Sequence, residues 1–155
     1  MARYKAAHLF IVLLAGFIMS KGAYCLEGDG MAGQGQFEKI SNEASVKDGV
    51  KEITYEQFVR IRNSGEEYLL LDVLSLDSYE SGHIGGAISF PEGSIDNDSA
   101  NIMIPKGSRI IVYCGNFKCG ASTSAAKKLS GMGYDVLDYK GGLKDWQDKG
   151  NELSK

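Results

Sequence analysis

Cysteine is scarce in this chain. Three residues in 155 are too few for a small domain stapled by disulfides. Proline is scarcer still, two against twenty glycines, which points to many tight turns. Positive charge is not in excess: 17 Lys and Arg face 20 Asp and Glu, a formal net charge of -3. That balance argues against a nucleic-acid partner held by bulk charge. The sequence also lacks a phosphate-binding glycine motif, a Cys/His zinc spacing and any internal repeat of useful length. What remains is 43% hydrophobic and 24% charged, the proportions of a single globular domain and not of a disordered or coiled-coil chain.

The first residues read as an address. Arg3 and Lys5 precede an almost unbroken apolar run from Leu9 to Met19, too short for a comfortable membrane span. Ala23 and Cys25 put small residues at the minus-three and minus-one places of a cut after Cys25, so residues 1–25 are expected to be a signal peptide. An uncleaved N-terminal anchor is the alternative, and only then would the protein meet a membrane. Tyr24 stands where lipid attachment to Cys25 wants a small residue, which disfavours lipidation. Cleavage removes Arg3, Lys5, Lys21 and no acid, leaving a more acidic remainder whose cysteines are Cys114 and Cys119. The expected location is exported, periplasmic or secreted, where neighbouring thiols can pair. Residues 26–50, with Gly28, Gly30, Gly33 and Gly35, read as a flexible linker, and 51–155 as the folded domain.

Within the domain, strands alternate with helices. Thr54 and Gln57 form a capping box for a helix that carries Phe58 and Ile61 on one face and ends at Gly65. Tyr68 to Val73 is a continuous apolar run ending at an acid, as suits a strand buried on both faces of a parallel sheet. A short helix over Ser75–Glu80, closed by Gly82, leads to a strand over Ala87–Phe90. Residues 92–108 are polar apart from Ile102–Ile104. Arg109–Tyr113 is a buried strand, Ser122–Leu129 a helix packing through Ala125, Ala126 and Leu129, and Tyr134–Tyr139 the last strand. Gly141 and Gly142 then turn into a helix around Trp146, which is expected to pack against the sheet. The pattern implies an open α/β fold with a mainly parallel sheet.

Cys114 follows a buried strand and precedes a helix, which places it at the carboxyl edge where such sheets bind ligands. The loop Gly115-Asn116-Phe117-Lys118-Cys119-Gly120 offers amide N–H groups, one cation in Lys118 and a helix N-terminus. That field favours an anion and a thiolate, hence a nucleophilic sulfur facing an anionic substrate. Spacing alone leaves a buried, inert Cys114 open as the other reading.

The region from about Ile53 to Gly150 resembles the single-domain rhodaneses, the thiosulfate sulfurtransferase family. Three ordered motifs carry the resemblance: Leu70-Leu71-Asp72-Val73 with Gly82-His83-Ile84-Gly85-Gly86-Ala87; Ile111-Val112-Tyr113-Cys114; and Tyr139-Lys140-Gly141-Gly142-Leu143 with Trp146 and Gly150. The resemblance implies a rhodanese-like fold with five mostly parallel strands and helices on both faces. It also implies a Cys114 persulfide that passes sulfane sulfur from thiosulfate or a persulfide to a thiophilic acceptor. Loop residues 115–120 would bind the substrate, Asp72 and His83 would brace the turns near the site, and no metal or organic cofactor is implied. The implied partners are a small sulfur-containing anion and a thiol acceptor, with a protein reductant or sulfur acceptor as a further class.

Two departures bear on chemistry. Leu74 and Cys119 stand where many rhodaneses carry Arg, which removes a bidentate anion clamp and leaves Lys118 as a point charge. The loop is also about two residues longer than the commonest single-domain form, similar to a subgroup with Cys-x4-Cys. The phosphatases that share the fold need Arg where this chain has Gly120, which argues against phosphatase chemistry. Cys119 has three readings: a packing residue, a resolving thiol for Cys114, or a second sulfur carrier. Phe117 is either a lip or a plug. Two rival functions therefore stay open beside sulfur transfer, namely a thiol–disulfide redox protein using Cys114 and Cys119 and a non-turnover sulfur carrier.

Overall fold

The computed structural model describes residues 35–155. The chain runs α1 (Gln36–Glu43), β1 (Ser45–Lys47), β2 (Val50–Ile53), α2 (Tyr55–Asn63), β3 (Leu69–Asp72), α3 (Leu76–Ser81) and β4 (Ala87–Ser89). A short 3-10 turn at Glu92–Ser94 follows, then α4 (Asn97–Met103), β5 (Arg109–Tyr113), α5 (Ala121–Gly131), β6 (Asp135–Tyr139) and α6 (Gly142–Asp148). The strands form one six-stranded sheet in the order β1-β2-β6-β5-β3-β4. Only β1 is antiparallel, to β2, and every other pairing is parallel. The expected α/β fold with a mostly parallel sheet is thus present, with one strand more than expected.

The central strands explain the apolar runs. On β5, Ile110 and Val112 point to one face, where they join Leu71, Ala125, Ala126, Leu129 and Val136. Ile111 and Tyr113 point to the other, where they meet Phe58, Ile61, Leu137, Tyr139 and Trp146. Both faces are covered by helices, so a period-two alternation of apolar and polar residues has no place in these strands. Trp146 packs as expected, beside the Phe58 and Tyr55 rings. The Thr54–Gln57 capping box forms at the start of α2, with Thr54 Oγ1 accepting the Gln57 N–H and Gln57 Oε1 accepting the Thr54 N–H.

Residues 1–34, including the expected signal peptide and its cleavage site, lie outside the described residues. The expected linker over 26–50 is corrected for its second part. From Gln36 onward the chain is folded, because Phe37 and Ile40, three residues apart, place one face of α1 in the core with no solvent exposure. The N-terminus of α1 is held from elsewhere in the chain: the Glu66 carboxylate accepts the N–H groups of Gln36 and Phe37 and a 2.9 Å bond from Arg109. The extra strand comes from Asp48-Gly49. Both residues have positive φ, 51° and 78°, and join β1 to β2 as a two-residue hairpin with Lys47 paired to Val50. The polar stretch 92–108 likewise hides α4, which a capping box between Asp96 and Ser99 starts.

If α1 is part of the core, Ile40→Ala costs about 2–5 kcal/mol, as Leu129→Ala should at the opposite face. Urea unfolding of the full chain measures both. An Ile40→Ala variant as stable as the parent would return α1 to the status of a linker.

Candidate active site

Cys114 is the first residue beyond β5, the central one of five adjacent parallel strands, at their carboxyl ends. Its position is fixed from two sides. The Cys114 carbonyl accepts the N–H of Leu143 at 3.0 Å, and the Gly115 carbonyl accepts that of Lys144 at 2.9 Å. This close approach requires Gly142, which sits at φ +60° and whose absent side chain would otherwise run into the Cys114 carbonyl. The glycine pair of the third motif is therefore a seat for the cysteine loop.

The loop then curls back. Asn116 accepts two loop amides, Lys118 N–H on its side chain at 2.9 Å and Cys119 N–H on its carbonyl at 3.0 Å. These two N–H groups, expected to face a bound anion, are thus already engaged. Cys119 is brought over Cys114, whose Sγ lies 3.6 Å from the Cys119 carbonyl oxygen and 3.3 Å from Ser122 Oγ, two acceptors for one S–H. Both cysteines are free thiols. Cys114 is fully buried and Cys119 is half-buried at the loop rim.

The two sulfurs divide their chemistry in an unexpected way. Burial, together with the Cys119 sulfur beside it, pushes the Cys114 thiol above its ordinary range, against a smaller pull from Ser122. The expected resting thiolate at Cys114 is therefore corrected: desolvation outweighs the loop field. At Cys119 burial acts in the same direction but loses. The neighbouring Cys114 thiol, the backbone N–H groups of Gly115 and Ala121 and the charge of Lys140 together hold it below its ordinary range.

Lys140 is the cation of the site, and sequence reasoning missed it. Lys118 is exposed and makes no side-chain hydrogen bond among the described residues. Lys140, from the turn after β6, donates to the Cys119 carbonyl at 2.6 Å and to Thr123 Oγ1 at 2.8 Å. Thr123 in turn donates to Asp138 Oδ2 at 2.9 Å. Asp138 is fully buried, and burial raises its carboxyl pKa against the opposing pull of Ser122, Thr123 and Lys140. Ser122, Thr123, Asp138 and Lys140 thus line one polar wall around the cysteine pair. A hint of it was present in sequence: an acid inside the apolar strand Val136-Leu137-Asp138-Tyr139, one residue short of the strand end.

Asp72 and His83 contact the turns of the fold. Asp72 Oδ1 accepts the Leu74 N–H at 2.9 Å, and burial raises its pKa. His83 stacks on Tyr79 at 3.9 Å between ring centroids, its Nδ1 is 3.1 Å from the Tyr79 carbonyl oxygen, and its backbone pairs with Ser154. None of these contacts reaches Cys114. Phe117 is 64% exposed and stands as a lip, not a plug. It borders a cavity of about 340 Å³ shared with Thr54, Tyr55, Lys140, Asp145 and Lys149. A larger cleft of about 730 Å³, between Glu66–Leu69 and Pro105–Arg109, lies at the opposite ends of β3 and β5 and away from the thiols.

Residues 54–149 match the rhodanese-like domain family, and the chain belongs to it. It is 34% identical over 76 residues to the thiosulfate sulfurtransferase PspE of Escherichia coli, covering 48% of this chain and 70% of that protein. It is 27% identical over 113 residues to a putative sulfur carrier protein, YrkF, of Bacillus subtilis, covering 72% of this chain and 57% of that protein. The chain thus spans little more than half the length of the latter relative. Among solved structures it is similar to a rhodanese-like domain from Anabaena, with TM-score 0.58, 26% identity, and coverage of 66% of this chain and 77% of that one.

Exposure and ionisation make Cys119 the faster thiol towards a small alkylating agent. Peptide mapping after brief iodoacetamide treatment at neutral pH should show Cys119 labelled at least about tenfold faster than Cys114. Lys140→Met should slow Cys119 labelling several-fold. Preferential labelling of Cys114 would reverse the assignment of the two sulfurs.

Proposed function

We propose that this protein is a sulfurtransferase that carries sulfane sulfur as a persulfide on Cys114. The observation that carries the reading is the placement of Cys114 at the carboxyl edge of the parallel sheet, under a loop whose Cys119 carbonyl is bound by the Lys140 ammonium, in a domain of the rhodanese family. The names of the relatives, thiosulfate sulfurtransferase and sulfur carrier, support sulfur as the transferred group. Thiosulfate or a persulfide is the donor. For thiosulfate, the Cys114 sulfur attacks the outer sulfur of the donor, the S–S bond breaks, and sulfite leaves with the bonding electrons. Lys140 and the loop N–H groups favour binding of an anion and departure of an anionic leaving group. A thiophilic acceptor then takes the outer sulfur and restores Cys114. The proposed chemistry uses the Cys114 sulfur, the Lys140 charge, the loop backbone and Cys119 as proton acceptor, and it calls on no metal or organic cofactor.

The Cys114 proton must leave before attack, because the resting thiol is held above its ordinary range. The Cys119 sulfur is the adjacent group with the opposite tendency. This makes proton transfer from Cys114 to Cys119 the natural first event as the donor arrives.

We also propose that residues 1–25 direct export, on the strength of the apolar run from Leu9 to Met19. Fractionation of cells expressing the full chain tests this, and a protein confined to the cytoplasm overturns it.

For the transfer itself, the full chain, fully reduced, should form thiocyanate from thiosulfate and cyanide. Cys114→Ser should lower that rate at least about a thousandfold, as loss of a nucleophile does. Unchanged thiocyanate formation by Cys114→Ser would remove Cys114 from the mechanism.

A further inference from the structure

We propose that Cys119 resolves the Cys114 persulfide by attacking its inner sulfur, which releases sulfide and leaves a Cys114–Cys119 disulfide. The proposal rests on the persulfide reading above and adds to it a second activity, the reductive cleavage of the donor to sulfite and sulfide.

Geometry comes first. The turn closed by Asn116 lays residue 119 over Cys114, whose Sγ is 3.6 Å from the Cys119 carbonyl oxygen and a hydrogen-bond neighbour of the Cys119 side chain. Cys114 is fully buried, while Cys119 is partly open to solvent. The residues that would have to adjust are Gly115 and Gly120, one beside each cysteine, and neither has a heavy atom crowding the place of a side chain. Glycines in open surroundings let the short loop shift at little cost. Lys140 grips the loop through the Cys119 carbonyl, not through the sulfur, so the thiol remains available.

Chemistry follows from that placement. The Cys119 sulfur is held in a more acidic state than an ordinary thiol, and a thiol of that kind attacks disulfide-like sulfur well at neutral pH. The steps balance. The cycle is entered from the singly protonated form of the pair, Cys114-SH with Cys119-S⁻. Attack of Cys114 on thiosulfate transfers its proton to Cys119 and gives Cys114-S-S⁻, Cys119-SH and sulfite. The Cys119 sulfur then bonds to Cys114 Sγ, the Sγ–sulfane bond breaks, and the outgoing sulfur takes the Cys119 proton and leaves as HS⁻. The sulfane sulfur is the oxidant: it is reduced to sulfide while the two thiols become a disulfide. A dithiol, small or protein-borne, must reduce that disulfide by exchange before another cycle. The net reaction consumes thiosulfate and a dithiol and yields sulfite, sulfide and an oxidised dithiol. A strong thiophile such as cyanide competes with Cys119 for the persulfide and diverts it to simple transfer.

The test is a single turnover without cyanide or added thiol. Full-length protein carrying Cys25→Ser, so that Cys114 and Cys119 are its only cysteines, is reduced, freed of reductant and mixed with excess thiosulfate. Sulfite, sulfide and intact mass are read at completion. The expected result is about one sulfite and one sulfide per chain, with a final mass two hydrogens lighter. Adding Cys119→Ser should slow sulfite release, because the proton acceptor is gone, yet still give about one sulfite per chain at completion, add the mass of one sulfur atom, and cut sulfide at least about tenfold. Retention of an extra sulfur by the two-cysteine protein, with no sulfide, overturns resolution and leaves the persulfide reading standing. Absence of sulfite from both proteins overturns the persulfide reading and this proposal with it.

Discussion

The site depends on the grip of one ammonium group. Lys140 reaches from the end of β6 to the Cys119 carbonyl and to Thr123 on the first turn of α5. It thereby ties three chain segments that meet at the carboxyl edge of the sheet. A loop carbonyl bound to a cation is a charge-assisted contact, roughly twice as strong as a neutral hydrogen bond. Without it, the loop would rely on the Asn116 turn and on the two N–H groups of α6 that hold the carbonyls of Cys114 and Gly115. The same cation raises the local potential around a sulfur that is only half-buried. Shape and reactivity of the loop thus follow from one contact.

The cysteine pair distributes two demands that conflict in a single residue. In the proposed transfer a persulfide has to be shielded from water and from stray thiols, which the buried position of Cys114 provides. Burial, however, disfavours the ionised sulfur needed to form it. Cys119 relieves the conflict by sitting at the rim, where loop N–H groups and Lys140 stabilise a negative sulfur. In that proposal the shielded thiol gives up its proton only when a donor arrives. An arginine at position 119 would supply charge but accept no proton, so the exchange of a cation for a thiol changes the kind of chemistry open to the loop.

Much of the fold was legible because the central strands are covered on both faces. Their apolar runs, the Thr54 capping box and the glycines at helix ends are local signals, and each fell where the structure has an element boundary or a strand. Three elements were not read. Helix α1 has two core residues, Phe37 and Ile40, in a polar stretch next to glycines, and its N-terminus is satisfied by Glu66 from thirty residues away. The β1–β2 hairpin was signalled by Asp48-Gly49, but the composition of the surrounding stretch masked it. Helix α4 begins at an Asp96–Ser99 box, a weaker pattern than the Ser/Thr–Glu/Gln form. For the site, Cys114, Cys119 and the seat at Gly142 follow from local motifs. Lys140, Asp138 and Ser122 do not, because the sheet order that brings β6 beside β5 decides their proximity. Lys118 was favoured over Lys140 because it is near Cys114 in sequence, yet its side chain extends to solvent.

The position of Asp138 bears on how much of the Lys140 charge the loop feels. An exposed aspartate beside a lysine would cancel most of its field. Asp138 is buried, with one carboxylate oxygen unpaired among the described residues, and burial raises its pKa. Its hydrogen-bonded link to Lys140 runs through Thr123 and not directly. The positive end of this wall faces the Cys119 carbonyl and sulfur, while its acidic end lies inside the sheet. This ordering sets the positive end of the wall on the loop side, where the proposed transfer would bring an anionic donor and release anions. The net charge of the chain is -3, so such an environment cannot come from the protein as a whole and has to be built locally.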